Sequence, residues 1–264
     1  MNLKLIIFVV WFLITSCTTE QPVTIEFAPY LHGKLVNCEE GFRSVGMTDL
    51  RFYIHDIYLV SGEDELLPLT FKKDGRWQSS NVALVDLENG TGACFNGTNA
   101  SNAVVEGTYP GGLVKGLEFK IGVPETLNHS DPLTAVSPLN YTDMHWHWAS
   151  GYKFFRAGLA TLNDSFFIHL GSSRCSGTIG EIKGCLSANR AFVHIDRFDP
   201  ARNVVGVDLG LLFNEVSLND GINSDCQSGP VDPNCEKPFS RFGLNFETGE
   251  AVESANFFSS EPKK

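Results

Sequence analysis

Leu50-Arg51-Phe52-Tyr53-Ile54-His55-Asp56-Ile57-Tyr58-Leu59-Val60 is rich in β-branched and aromatic residues that alternate with polar ones. On an extended backbone successive side chains face opposite ways, so such a stretch reads as a strand with one face in a core. Outward from it, the same pattern recurs at residues 23–27, 117–123, 144–148, 166–170, 190–195 and 204–209. Turn-forming clusters separate these runs: Glu63-Asp64, Lys73-Asp74-Gly75, Tyr109-Pro110-Gly111-Gly112 and Phe198-Asp199-Pro200. Many short strands at this spacing predict an all-β chain, either an antiparallel β-sandwich or a barrel-like single domain. Helix periodicity is scarce, with one short candidate at 209–218, and residues 219–238 read as a long polar loop.

The N-terminus sets the compartment. One lysine, Lys4, precedes an unbroken apolar run from Leu5 to Ile14, the layout of a secretory signal. The run is too short for a hydrocarbon core that takes about 20 residues to cross, so residues 1–16 are read as a removed signal peptide. Ile14-Thr15-Ser16-Cys17 resembles the lipobox of bacterial lipoproteins, which makes Cys17 the lipidation site, residues 17–22 a tether and residues 23–264 the β-rich domain. No aspartate follows Cys17, and among Gram-negative lipoproteins that implies sorting to the outer membrane, facing the periplasm or the cell surface. The membrane is then met through the lipid anchor only.

The chain carries a net charge of −11, which disfavours nucleic acid and anionic membrane surfaces and favours small cations. Besides Cys17, six cysteines are present: Cys38, Cys94, Cys175, Cys185, Cys226 and Cys235. An even number in an exported chain reads as disulfides. Proximity in sequence suggests Cys175 with Cys185 and Cys226 with Cys235, each closing a small loop, which leaves Cys38 for Cys94. No CxxC spacing supports a thiolate metal site.

The histidines carry the chemistry. In Met144-His145-Trp146-His147-Trp148, a strand would put His145 and His147 on one face, about 6.6 Å apart, where they could chelate one cation, with Trp146 and Trp148 on the other. Imidazole suits copper and zinc. His32, His129 and His169 adjoin turns or strand ends, where ligands commonly sit, whereas His55 and His194 fall inside strands. Gly-x-Ser-x-Gly, P-loop, Gly-x-Gly-x-x-Gly and His-Glu-x-x-His motifs are all missing, so a binding protein is expected rather than an enzyme.

Six segments in order then resemble the MbnP-type periplasmic copper-binding proteins, also called metallo-mystery-pair proteins with a four-Cys motif. They are Thr48-Asp49-Leu50-Arg51-Phe52-Tyr53-Ile54; Trp77-Gln78 with Val82-Ala83-Leu84-Val85-Asp86; Gly122-Val123-Pro124-Glu125-Thr126-Leu127-Asn128-His129; Met144 to Trp148 with Gly151-Tyr152-Lys153-Phe154; His169-Leu170-Gly171-Ser172; and Asp232-Pro233-Asn234-Cys235. The resemblance implies a β-rich exported protein that binds copper. It also implies a partner, a dihaem protein of the cytochrome c peroxidase type, which oxidises a tryptophan to kynurenine and thereby supports copper binding. Carried onto this chain, that tryptophan is Trp146 or Trp148. His129 and His169 match histidine positions of the family and His32 lies where it often has one, while His145 and His147 occupy variable positions. The contrasting reading is a structural or glycan-binding envelope lipoprotein without metal, its aromatics Trp77, Trp146 and Trp148 stacking on sugar rings.

Overall fold

The computed structural model describes residues 19–79, 81–216, 225–229 and 231–264. The signal segment 1–16 and the expected lipidation site Cys17 lie outside these residues. In chain order the strands are β1 (Gln21–Leu31), β2 (Lys34–Leu35), β3 (Gly46–Ser61), β4 (Leu66–Pro68), β5 (Thr70–Phe71), β6 (Ala83–Asp86), β7 (Val104–Tyr109), β8 (Val114–Ile121), β9 (His145–His147), β10 (Gly151–Ala160), β11 (Ser165–Gly171), β12 (Ser173–Thr178), β13 (Glu181–Ser187), β14 (Ala191–Asp196), β15 (Asn203–Asp208) and β16 (Phe258–Pro262). Two short helices, α1 (Leu209–Leu212) and α2 (Glu236–Arg241), complete the set with three single turns of 3₁₀ helix.

Two sheets face each other and neither closes into a barrel. One runs β16-β15-β1-β7-β5 with β2 beside β1; the other runs β11-β10-β3-β8-β14 with β4 and β6 beside β3 and β9 beside β10. Pairing is antiparallel throughout except between β1 and β15. The expected all-β sandwich is therefore the fold, with one parallel pair that strand patterning did not reveal. Between the sheets lies an aromatic core: Phe27 of β1 meets Phe52 of β3 edge-on at 5.6 Å, Phe52 stacks on Phe155 of β10 at 5.2 Å, and Phe119 of β8 meets Phe258 of β16 at 5.4 Å. Ring pairs of this kind add attraction beyond the area they bury.

β3 is the spine of the larger sheet. Asp56, at φ 49°, sits where its register with β8 shifts between His55 and Tyr58, the mark of a β-bulge. The inner face of β3 points into the sandwich, and its outer face is buried too. There Tyr53 donates its hydroxyl to the Pro138 carbonyl at 3.0 Å, and Tyr152 of β10 donates to the Leu139 carbonyl at 2.7 Å. The segment between β8 and β10 thus lies across the outer face as a third layer, and this layer carries His129 and the His145–Trp148 motif.

All three disulfides pair as proximity suggested: Cys38 with Cys94, Cys175 with Cys185 and Cys226 with Cys235. Among the described residues no helix is long and apolar enough to cross a membrane.

Candidate metal centre

His169 stands on the outer face of β11, directly opposite Arg156 of β10. Its backbone is held on both sides: the N–H donates to the Cys226 carbonyl at 2.8 Å, and the carbonyl accepts from the Ser228 hydroxyl at 2.8 Å. The ring is less constrained chemically. Its Nε2 is buried without a hydrogen-bond partner among the described residues, and burial, reinforced by the positive charges of Arg156, Lys153 and Arg51, pushes the imidazolium down to about 4 despite opposition from Asp49. At neutral pH the ring is uncharged and offers a lone pair to a metal.

Trp146 covers this histidine. Its ring meets that of His169 edge-on, 6.2 Å between centroids, and lies over Gly171, where an added Cβ would come within 3.3 Å of Cε3 and Cζ3 of the indole. β9 therefore sends Trp146 one way and its flanking histidines the other, as alternation predicts. His145 packs edge-on against Tyr152 at 5.1 Å. Burial lowers its pKa, opposed by Asp131 and assisted by His147, Lys153 and His129. His147 is exposed, with its ring 5.2 Å from that of Trp148.

His129 is brought in by Asn128, which in the sequence stands out only as part of the Gly122–His129 segment. Asn128 is fully buried. Its Oδ1 accepts from the Tyr152 N–H at 3.1 Å, and its Nδ2 lies 3.3 Å from the Ser150 carbonyl and 3.4 Å from Ser172 Oγ. One amide thereby ties the His129 loop to the start of β10 and to the residue after β11. Gly151, at φ 77°, is required here, because a Cβ would stand 2.1 Å from the Asn128 carbonyl oxygen. Among the described residues His129 Nδ1 is buried without a partner, while Nε2 lies 3.3 Å from Asn128 Nδ2 and 3.6 Å from Cys185 Sγ.

The structure brings His129, His145, His147, His169, Trp146 and Trp148 into the one outer layer; His129 and His169 are linked through Asn128 and Ser172 rather than by direct contact. His32 is elsewhere. It forms, with Gly33, the two-residue turn between β1 and β2, both at positive φ, and its Nδ1 would be 2.7 Å from a Cβ on Gly210 at α1. No hydrogen bond or ring contact joins it to those six among the described residues.

A buried charge row backs the site. His169, Arg156, Arg51, Asp86 and Asn102 are register partners across β11, β10, β3, β6 and the next segment. Arg51 makes a two-point contact with Asp49 at 2.8 and 2.9 Å, which also receives Arg156 at 2.7 Å. Glu88, fully buried, lies 3.6 Å from Arg51 and accepts the Thr98 N–H at 2.9 Å. Burial, opposed by Arg51 and reinforced by Glu88 and Asp49, pushes Asp86 up to about 8. With Asp86 protonated, the two buried carboxylates of Asp49 and Glu88 balance the two guanidiniums, a pairing suited to a low-dielectric layer, and the exposed carboxylate of Asp143 lies 3.8 Å from Arg51. Arg156 and Lys153 also reach the Asp143 carbonyl, each at 3.0 Å, pinning the turn that leads into β9.

Three disulfides staple the β-sandwich, as suits an oxidising compartment outside the cytosol and in keeping with a place in the cell envelope. The sequence model of the MbnP family matches residues 20–228, and the chain belongs to that family. Among solved structures, MbnP from Methylosinus trichosporium is similar at 25% identity, covering 93% of this chain and 100% of that one with a TM-score of 0.80. A search of curated proteins gave no match. Membership in this family suggests a copper-related role.

Proposed function

We propose that this chain is an exported copper-binding protein whose copper is cargo, held by imidazole nitrogens of the outer layer and not turned over in a reaction. The observation that carries the reading is His169 Nε2: buried, uncharged and without a partner among the described residues. An unsatisfied buried acceptor of this kind costs free energy unless something binds it, and a metal does so. His129, with its own unpartnered Nδ1, is the second leading ligand; His145 and His147 are the reserve on the same layer, and His32 is a ligand only if the turn it occupies moves. Imidazole donors accept both copper and zinc, and the higher place of Cu²⁺ in the affinity order agrees with the family's association with copper.

Of the two candidate tryptophans, Trp146 is the one whose oxidation to kynurenine would alter the ligand field, because it lies against His169. A dihaem partner of the cytochrome c peroxidase type would supply that oxidation. A lipid on Cys17 would hold the protein at the outer membrane.

The sugar-binding alternative is weakened by how the aromatics are used. Trp77 is stacked by Tyr141 at 5.2 Å and capped by the Arg76 guanidinium at 4.8 Å, and Trp146 is turned inward, leaving only Trp148 of the three free to meet a sugar ring.

The test is a calorimetric copper titration of the mature chain beside a His129→Ala, His169→Ala double variant, before and after treatment with the haem partner. One tight site per chain, lost in the variant, is expected. Flat titrations in both states would overturn the reading.

A further inference from the structure

The Cys175–Cys185 disulfide differs from the other two in its surroundings. Cys38, Cys94, Cys226 and Cys235 are all buried at 3% exposure or less; Cys175 and Cys185 are only half-buried. They sit opposite each other on β12 and β13, a two-stranded hairpin that belongs to neither main sheet. Its outer reaches carry Ile179 and Leu186 exposed to solvent.

The sulfurs also face a histidine. His129 Nε2 is 3.6 Å from Cys185 Sγ, and one ligand atom each of His129, Cys175 and Cys185 lies within 4.8 Å of the others. A cleft of about 370 Å³, lined by Glu125, Thr126, His129 and Ser130 on one side and residues 180–184 on the other, opens the place to solvent. A disulfide sulfur is a poor ligand, but a pair of thiolates with an imidazole is a soft donor set that selects monovalent copper or zinc.

We propose that Cys175–Cys185 is a redox-controlled lock on a second metal site, and that its reduction creates a thiolate–thiolate–imidazole site for monovalent copper with His129. The reductant is a dithiol. Its thiolate attacks one sulfur of the disulfide, a mixed disulfide forms, and its second thiol closes on the first to release both cysteines. Two electrons and two protons pass from the dithiol to Cys175 and Cys185, and the dithiol leaves as its own disulfide. Binding Cu⁺ then displaces the two thiol protons, with no change in the metal's oxidation state. Bonds from zinc to thiolate and imidazole are about 2.3 and 2.1 Å, so the two sulfurs must part. The hairpin belongs to neither main sheet, and a Cβ added at Gly184, beside Cys185, would meet nothing within 4 Å, which leaves room for that movement.

The proposal goes beyond the imidazole site and shares only His129 with it. The experiment is run on the mature chain. Mild dithiothreitol treatment is followed by alkylation and peptide mass mapping, and then by Cu⁺ titration against a chromogenic chelator, before and after reduction. Cys175 and Cys185 should be alkylated while the other four cysteines stay paired, and the reduced chain should hold one more Cu⁺ than the oxidised chain. Co²⁺ added to the reduced chain should give a thiolate-to-cobalt charge-transfer band, a readout that needs no variant. The extra Cu⁺ should vanish in Cys175→Ser, Cys185→Ser and weaken by about tenfold or more in His129→Gln. A buried disulfide opening first, no extra Cu⁺, no charge-transfer band, or extra Cu⁺ indifferent to His129 would each overturn it. Copper held by the oxidised chain tests the imidazole site separately, so the two readings fail independently.

Discussion

Trp146 stands edge-on over His169, 6.2 Å between ring centroids, with the bare Cα of Gly171 beneath its six-membered ring. The indole has its place because the strand beside it lacks a side chain there. Gly171→Ala would set a Cβ 2.8 Å from the Tyr152 carbonyl and 3.3 Å from the indole, an overpacking expected to cost about 1–3 kcal/mol. The variant should show a red-shifted, more quenchable Trp146 emission and a lower Tm; an unchanged spectrum would mean that Gly171 does not position the ring.

Asn128 should act at a distance on metal binding. Replacing it with Ala removes the acceptor of the Tyr152 N–H and the ties to Ser150 and Ser172, leaving a buried donor unmet at about 1–3 kcal/mol. By analogy with residues that orient metal ligands, copper affinity should fall about 10–100-fold. Calorimetry on Asn128→Ala checks this, and equal affinity at equal fold content would remove Asn128 from the site.

Within the charge row the carboxylates should respond in opposite ways. Asp49→Asn leaves Arg51 and Arg156 with only Glu88 and the exposed carboxylate of Asp143, 3.8 Å from Arg51, and breaking a buried pair costs about 3–5 kcal/mol. Asp86→Asn replaces a carboxyl that is already protonated at neutral pH, so it should be tolerated. The sign follows from linkage: a folded value raised to about 8 means that the folded chain holds a proton the unfolded chain has released. Stability therefore declines as pH rises from the ordinary carboxylate range to about 8. Urea melts across that range should show the decline in the wild type and its flattening in Asp86→Asn.

On the far edge of the same sheet, His194 lies between Glu118 at 2.9 Å and Asp196 at 3.1 Å. Partial burial by itself lowers its pKa, but the hydrogen bonds to Glu118 and Asp196 and their charges outweigh it and raise the value. Its contribution to stability is complete below the ordinary histidine value and is lost as pH rises through the raised one. A Glu118→Gln variant should shrink that pH dependence, followed by NMR titration of the His194 ring; an unshifted ring resonance would contradict the pairing.

The strand content of this chain was legible wherever one face is buried and the other is not. β8, β11 and β14 alternate visibly, and their expected ranges fall within a few residues of the strands. β10 was not legible: both of its faces are covered, by the sandwich core and by the third layer, and Gly151-Tyr152-Lys153-Phe154-Phe155-Arg156 lacks the alternation and the long aromatic and β-branched run by which β3, covered on both faces too, was read. The β12–β13 hairpin escaped for the opposite reason: with little packed on either face, its residues carry no apolar period.

The pairings of Cys175 and Cys226 followed from short loops, where closure costs little entropy. The histidines could be named, and the opposite facing of His145 and Trp146 follows from local geometry. What no local pattern contains is that Trp146 would land on His169, that Asn128 would bind loops 24 and 44 residues away, or that Arg156, Arg51 and Asp86 would line up beside His169. The sequence by itself determined which stretches extend, which faces are apolar and which side chains can hold a soft cation, because each depends on neighbours a few residues apart. Only the tertiary structure decided which of those side chains share a layer and which lone pairs are left without partners, because strand register and burial are set by contacts between residues far apart in the chain.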